Sequence, residues 1–101
     1  MPKYYIIRPL DQYNTPKVRV WLVNGFAVRN RFTLDFIQGG HNLRYRFIPF
    51  DEIWIDNAVL PHERRFVVVH ELVERELMLQ GMTYNKAHEW ANRIELQARS
   101  R

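Results

Sequence analysis

The pattern of apolar and polar side chains changes along the chain and predicts strands first, then helices. Residues 4–8 form a short run of β-forming side chains, and apolar residues alternate with others in residues 18–23, as in a half-buried strand. Asn24-Gly25 is a strong hairpin signal because a type I′ turn needs positive φ at both central positions. Residues 26–32 are therefore predicted to be the returning strand.

The next segment repeats this pattern with a second turn signal. Residues 33–37 and 43–48 are predicted to pair as a hairpin around the Gly39-Gly40 turn, and residues 53–55 form a further short strand. Residues 1–60 thus predict an antiparallel β-sheet built of hairpins.

Helical periodicity begins near Pro61, a residue suited to the first turn of a helix because its missing N–H has no partner there. Residues 62–80 continue without a breaker, and Gly81 suits the left-handed position that follows a helix. Thr83 is a candidate N-cap for a second helix that ends near Arg99. The chain is therefore predicted to be a single α+β domain over residues 1–101, with two helices in residues 61–101.

Composition limits the chemistry that the domain can support. The chain contains no cysteine, which excludes disulfides and thiolate metal sites and is typical of a cytoplasmic protein. No apolar run reaches the roughly 18 residues that a bilayer span requires, and no secretory signal is recognisable. A metal site would have to use carboxylates and some of the four histidines, His41, His62, His70 and His88.

The motif His-Glu-Leu-Val-Glu at residues 70–74 carries the most specific chemistry in the chain. On a helix, His70 and Glu74 lie four residues apart and project from one face, the spacing with which a helix offers two ligands to one metal ion. Glu71 occupies the position that holds the general base in the zinc-peptidase motif H-E-x-x-H. A competing interpretation is an ordinary solvated helix face with ion pairs such as Glu71–Arg75.

A third ligand is available on the second helix. His88 borders the apolar stripe of that helix, and the short connection predicts that the two helices are neighbours. His70, Glu74 and His88 would supply two imidazoles and one carboxylate, a set that suits zinc with an open coordination position and also suits iron or another divalent metal. Glu71 would then be the general base of a hydrolase.

The residues around the motif form a longer pattern. IWIDN at 53–57 is followed by a Leu-Pro turn and by ERRFVVVHEL at 63–72, and Ala91-Asn92 lies on the second helix. Over about residues 53–95 this pattern resembles the zincin-like metallopeptidases of the ImmA/IrrE type. The resemblance implies a minimal zincin-like fold, a bound zinc ion and a peptide or protein substrate.

The chain departs from that family at two ligand positions. The family's second histidine is replaced by Glu74, and the acidic ligand that lies three positions before the Ala-Asn pair is replaced by His88. The resemblance therefore implies the same number of imidazoles and carboxylates with two positions exchanged, and HExxE in place of HExxH. A metal ion that only stabilises the fold is an alternative.

A different class of function is a non-catalytic module that binds nucleic acid or a protein. The net charge is +4, and Arg29, Arg31, Arg44 and Arg46 would lie on the predicted hairpins with aromatic neighbours. A basic β-sheet face of this kind suits phosphates and stacked bases, although alternating arginine is equally typical of a solvated sheet face. His41 and His62 are predicted to be exposed polar residues rather than ligands.

Overall fold

A computed structural model describes residues 3–100 and confirms the α+β class. The strands are β1 (Ile6–Pro9), β2 (Arg19–Val23), β3 (Gly39–His41) and β4 (Glu52–Asp56), and the helices are α1 (Gly25–Arg31), α2 (Arg64–Leu79) and α3 (Tyr84–Arg99). Short 3₁₀ segments occupy Asp11–Tyr13 and Pro61–Glu63. Within residues 3–100, no helix combines the length and the apolar character that crossing a lipid bilayer requires.

The four strands form one mixed sheet in the order β1-β2-β4-β3. The outer pairs, β1 with β2 and β3 with β4, are antiparallel, whereas the central strands β2 and β4 are parallel. The predicted antiparallel sheet of hairpins is therefore wrong in its centre. Parallel neighbours need a crossover of a dozen or more residues, and the chain makes it through α1 and β3.

The strongest hairpin signal in the sequence starts a helix instead. Asn24 has a φ of −77°, and its side chain accepts a hydrogen bond from the N–H of Ala27, so it is the N-cap of α1. The predicted strand over residues 26–32 is wrong for this reason. Gly25 is needed for close packing, since a Cβ at this position would lie 2.1 Å from the carboxyl group of Asp56.

The second predicted hairpin is also wrong, because residues 33–37 and 43–48 form turns and only Gly39–His41 is a strand between them. The aromatic side chains of these segments fill an apolar cluster. Phe47 stacks on Phe32 with ring centroids 4.3 Å apart and contacts Trp54 of β4. Their β-forming character reflects side-chain packing, which overrides the local backbone preference.

The helical hairpin follows the local signals of the sequence closely. Gly81 has a φ of +101°, the left-handed conformation expected after a helix, and Thr83 accepts a hydrogen bond from the N–H of Lys86 as the N-cap of α3. The predicted strand at residues 53–55 and the two predicted helices are confirmed.

The sheet is covered on both faces, which fixes the position of α2. Ile53 and Ile55 of β4 pack with Val67 and Val68 of α2, while Trp54 points to the opposite face and joins the aromatic cluster. Helix α2 also contacts β3, and α3 packs against α2. The polar face of α2 therefore meets both the sheet edge at β3 and the neighbouring helix.

Candidate metal centre

Three histidines meet at one buried carboxylate, that of Glu74. Its Oε2 atom lies 3.2 Å from Nε2 of His70 and 2.8 Å from Nδ1 of His88, and its Oε1 atom lies 2.9 Å from Nε2 of His41. The Glu74 side chain is only 3% exposed. A buried carboxylate with this many imidazole partners is the centre of a site, because burying it alone would be costly.

The three ligands predicted from the sequence come together in the structure. His70 and Glu74 are one turn apart on α2, and the packing of α3 against α2 brings His88 beside them. One potential ligand atom from each of these residues lies within 4.8 Å of those of the other two. Two imidazole nitrogens and a carboxylate oxygen are a donor set that fits a zinc ion.

The alternative of a solvated helix face is wrong for this part of α2. Glu71, Glu74 and Arg75 are all buried, and Arg75 donates hydrogen bonds to Asn42 and Asp51 and not to Glu71. His62 is exposed, as predicted.

His41 was predicted to be an exposed turn residue, and this prediction is wrong because the residue ends β3 and is completely buried. Its Nδ1 atom accepts hydrogen bonds from the backbone N–H groups of Leu43 and Arg44, at 3.2 and 3.3 Å. A neutral imidazole that accepts at Nδ1 carries its proton on Nε2. His41 therefore donates that proton to Oε1 of Glu74.

This tautomer decides between two candidate metal sites that share Glu74. Potential ligand atoms of His41, Glu71 and Glu74 also lie within 4.8 Å of one another. Ligation through Nε2 of His41 would move its proton to Nδ1, where it would face two backbone donors. His41 is thus unsuited to metal binding, and it holds Glu74 so that Oε2 remains directed at His70 and His88.

Glu95 of α3 sets the orientation of His70. The Nδ1 atom of His70 lies 3.0 Å from Oε1 of Glu95, and the other oxygen of Glu95 is held by Arg99 at 2.9 Å. An Nδ1–H group that donates to a carboxylate leaves Nε2 free as a metal ligand. This role was not predicted from the sequence, although Glu95 lies seven residues after His88 and therefore on the same helix face.

Replacing Glu95 tests that orientation. We expect Glu95→Ala to weaken zinc binding about 10- to 100-fold, the usual cost of losing a carboxylate partner of a metal-bound histidine. The affinity is measured by competition with a chromophoric chelator. Glu89→Ala, which removes an exposed carboxylate from the same helix, is the control and should bind zinc as the parent does. Equal affinities for the two variants would exclude this role for Glu95.

Glu71 lies beside the three candidate ligands, and all four residues line a cavity of about 410 Å³. Burial, followed by the nearby charge of Glu74, raises the pKa of Glu71 to about 8. Burial also disfavours the charge of Glu74, but hydrogen bonds from His41, His70 and His88 outweigh it and hold the pKa of Glu74 well below its usual range. The site thus holds one ionised carboxylate and one carboxyl poised to exchange a proton near neutral pH.

Charge also acts on His70. Burial disfavours the imidazolium, yet the hydrogen bond to Glu74 and the neighbouring carboxyl groups raise the pKa of His70 above its ordinary value. Without a metal ion, a proton on Nε2 fits the contact with Glu74. A cation at this position would replace that proton, since a ligating imidazole must be deprotonated.

The four arginines predicted on a basic sheet face lie outside the strands. Arg29 and Arg31 are in the last turn of α1, and Arg44 and Arg46 follow β3 in a turn. Arg29 is occupied by a hydrogen bond of 2.8 Å to Asp56. The predicted basic β-sheet face is therefore wrong, because the segments assigned to hairpins form a helix and turns.

The comparisons with known proteins do not identify a relative of this chain. No protein-family model, no curated protein and no solved structure matches it significantly.

Proposed function

We propose that this chain is a metal-binding domain that holds one zinc ion, or another divalent ion such as iron, between α2 and α3. Nε2 of His70, a carboxylate oxygen of Glu74 and Nδ1 of His88 would be the ligands. The observation that carries the proposal is that one potential ligand atom of each of these residues lies within 4.8 Å of the others, at the wall of a cavity. Three protein ligands leave a coordination position open to water or substrate, as in catalytic zinc sites.

The arrangement of Glu71 supports hydrolysis as the reaction, with a peptide bond as the target. A zinc ion bound here would polarise a substrate carbonyl and acidify a water molecule. Glu71 follows His70 directly and lines the cavity, so its carboxylate can accept a proton from the attacking water and return it to the leaving nitrogen.

The proposal extends to the fold family suggested by the sequence. Strand β4, the helix that carries His-Glu-Leu and the following helix with the proposed third ligand occur along the chain in the order of the ImmA/IrrE-type metallopeptidases, although β4 lies inside the sheet, between β2 and β3. A zincin-like peptidase domain with exchanged ligand types is consistent with this order. A cytoplasmic location stays a prediction from the sequence.

Metal content tests the proposal. Protein purified without an affinity tag and dialysed against zinc should retain one equivalent per chain by plasma emission spectrometry. His70→Ala and His88→Ala should lose that ion, because each removes one of three ligands. His62→Ala is the matched control and should keep it, since this exposed histidine lies outside the site.

The outcomes separate the proposal from its alternatives. A parent protein without stoichiometric metal would overturn it. A retained ion without any peptide hydrolysis would instead favour a structural role for the metal.

A further inference from the structure

Arg44 is a cation in the wall of the cavity that contains the candidate metal ligands. Its guanidinium carbon lies 4.8 Å from the ring centroid of Tyr45 and 4.7 Å from that of Tyr84. Two aromatic faces hold a planar guanidinium in place by cation–π attraction and limit the positions it can adopt. The side chain is therefore positioned before any ligand arrives.

This guanidinium has no counter-ion within the described part of the chain. The arginines Arg29, Arg75 and Arg99 each pair with a carboxylate, whereas in residues 3–100 no carboxylate oxygen lies within 4.0 Å of a nitrogen of Arg44. Its Nε atom is also buried without a hydrogen-bond partner among these residues.

The position of Arg44 connects it to the candidate metal centre. The ring of Tyr84 contacts the guanidinium of Arg44. The same ring stacks with the imidazole of His88, with ring centroids 5.4 Å apart. Arg44 is thus one aromatic ring away from a proposed ligand. Glu71 and Asp35 line the same cavity, and the carboxylate of Asp35 lies beyond 4.0 Å from Arg44.

We propose that Arg44 binds a carboxylate group of the peptide substrate and thereby selects substrates with a negative charge close to the bond that is cleaved. A guanidinium presents N–H groups in a flat fork that matches a carboxylate, and the two terminal nitrogens of Arg44 can supply them while its buried Nε stays closed to a ligand. The carboxylate comes either from the C-terminus of the peptide or from an acidic side chain. The inference rests on the proposed function, because it assigns a substrate class to that site.

Peptide binding to the zinc-loaded protein tests this selection. Isothermal titration calorimetry compares acetyl-Ala-Ala, its C-terminal amide and acetyl-Ala-Asp amide, in a Glu71→Gln background so that no peptide is consumed. We expect at least one of the two carboxylate peptides to bind about 10-fold or more tightly than the uncharged amide, the usual effect of a charge-assisted hydrogen bond. The tighter of the two identifies the source of the carboxylate.

Substitutions assign the preference to Arg44. Arg44→Gln should reduce it to less than about twofold, and Arg44→Lys should retain part of it because the charge stays while the fork is lost. Arg46→Gln, which removes an exposed arginine two residues away, should leave it unchanged. Circular dichroism verifies that each variant is folded.

The result distinguishes this inference from the proposed function. Protein that does not load zinc contradicts the proposed function. Protein that loads zinc but binds all three peptides equally overturns the role of Arg44, as does a preference that survives in Arg44→Gln.

Discussion

Glu74→Ala is expected to lower zinc affinity more than 100-fold and to destabilise the metal-free protein by about 3 kcal/mol. Glu74 contacts His41, His70 and His88, and it is a proposed ligand as well. Its loss exceeds the 10- to 100-fold cost of losing an indirect partner. It also leaves the Nε2–H group of His41 buried without an acceptor, which is the source of the lost stability.

Glu74→Gln separates these two effects. The amide oxygen can still accept the hydrogen bond from His41, so most of the stability should return, while the loss of the negative charge keeps zinc affinity low. Chemical denaturation of chelator-treated protein measures stability, and chelator competition measures affinity. Both variants binding zinc like the parent would remove Glu74 from the ligand set.

The carboxyl group of Glu74 also determines part of the loss of stability in acid. The pKa of Glu74 in the folded protein lies well below the ordinary value of 4.5, so the folded state binds this proton less tightly than the unfolded chain. Its contribution to stability is therefore present in full above that value and declines as the pH falls below it. Both Glu74 variants should lack this part of the acid-induced decline.

Glu71→Gln is expected to reduce peptide hydrolysis about 10²- to 10⁴-fold and to leave one zinc ion bound. An amide cannot accept the proton from an attacking water, but none of the three proposed ligands is altered. Initial rates on a peptide that the parent cleaves, together with metal analysis, measure both properties. The control is Glu76→Gln, which changes an exposed carboxylate on the same helix. Hydrolysis at the parent rate would exclude Glu71 as the base.

The stability of metal-free Glu71→Gln should also depend on pH differently from that of the metal-free parent. Burial raises the pKa of Glu71 from 4.5 to about 8, so the folded protein holds this proton more tightly than the unfolded chain. The stability from this group is present in full below pH 4.5 and is lost as the pH rises towards 8 and above. Unfolding experiments across this range should show a smaller decline in Glu71→Gln than in the parent, because the part due to Glu71 is lost and the part due to His70 stays.

The helical half of the molecule was predictable because its signals are local. Pro61, Gly81 and Thr83 act through the backbone of their own turns, and four-residue spacing places His70 beside Glu74 whatever the surroundings are. His88 could be assigned to the same region because a short connection predicts that the two helices are neighbours. Three candidate ligands could therefore be named without knowledge of the sheet.

The sheet was less predictable because its pairing depends on contacts between distant residues. Asn24-Gly25 suits a tight turn and a helix start equally well, and the close approach of Gly25 to Asp56 decides for the helix. Both β2 and β4 contain near-continuous apolar runs, at residues 20–23 and 53–55, which fit strands buried on both faces but do not specify that the two strands pair with each other. Local residue patterns can specify a turn, but they do not specify which strand or helix the following segment packs against.

His41 was missed for the same reason. A histidine after two glycines is typical of an exposed turn, and only the docking of β3 against α2 buries it beside Glu74. The residues near His41 in the sequence give no indication that it contacts the carboxylate of Glu74, which lies 33 positions away. A polar residue on a short strand gains its role from tertiary structure.

The two oxygens of Glu74 have different partners, and this difference has a consequence for how a metal ion would enter and leave the site. Oε1 is held by His41 from the sheet, and Oε2 faces His70 and the half-exposed His88. A metal ion bound as proposed would replace the imidazole protons of His70 and His88 that face Oε2, while the hydrogen bond from His41 to Oε1 would be kept. Loading and release would then be local events at the cavity surface and would not require β3 to separate from α2.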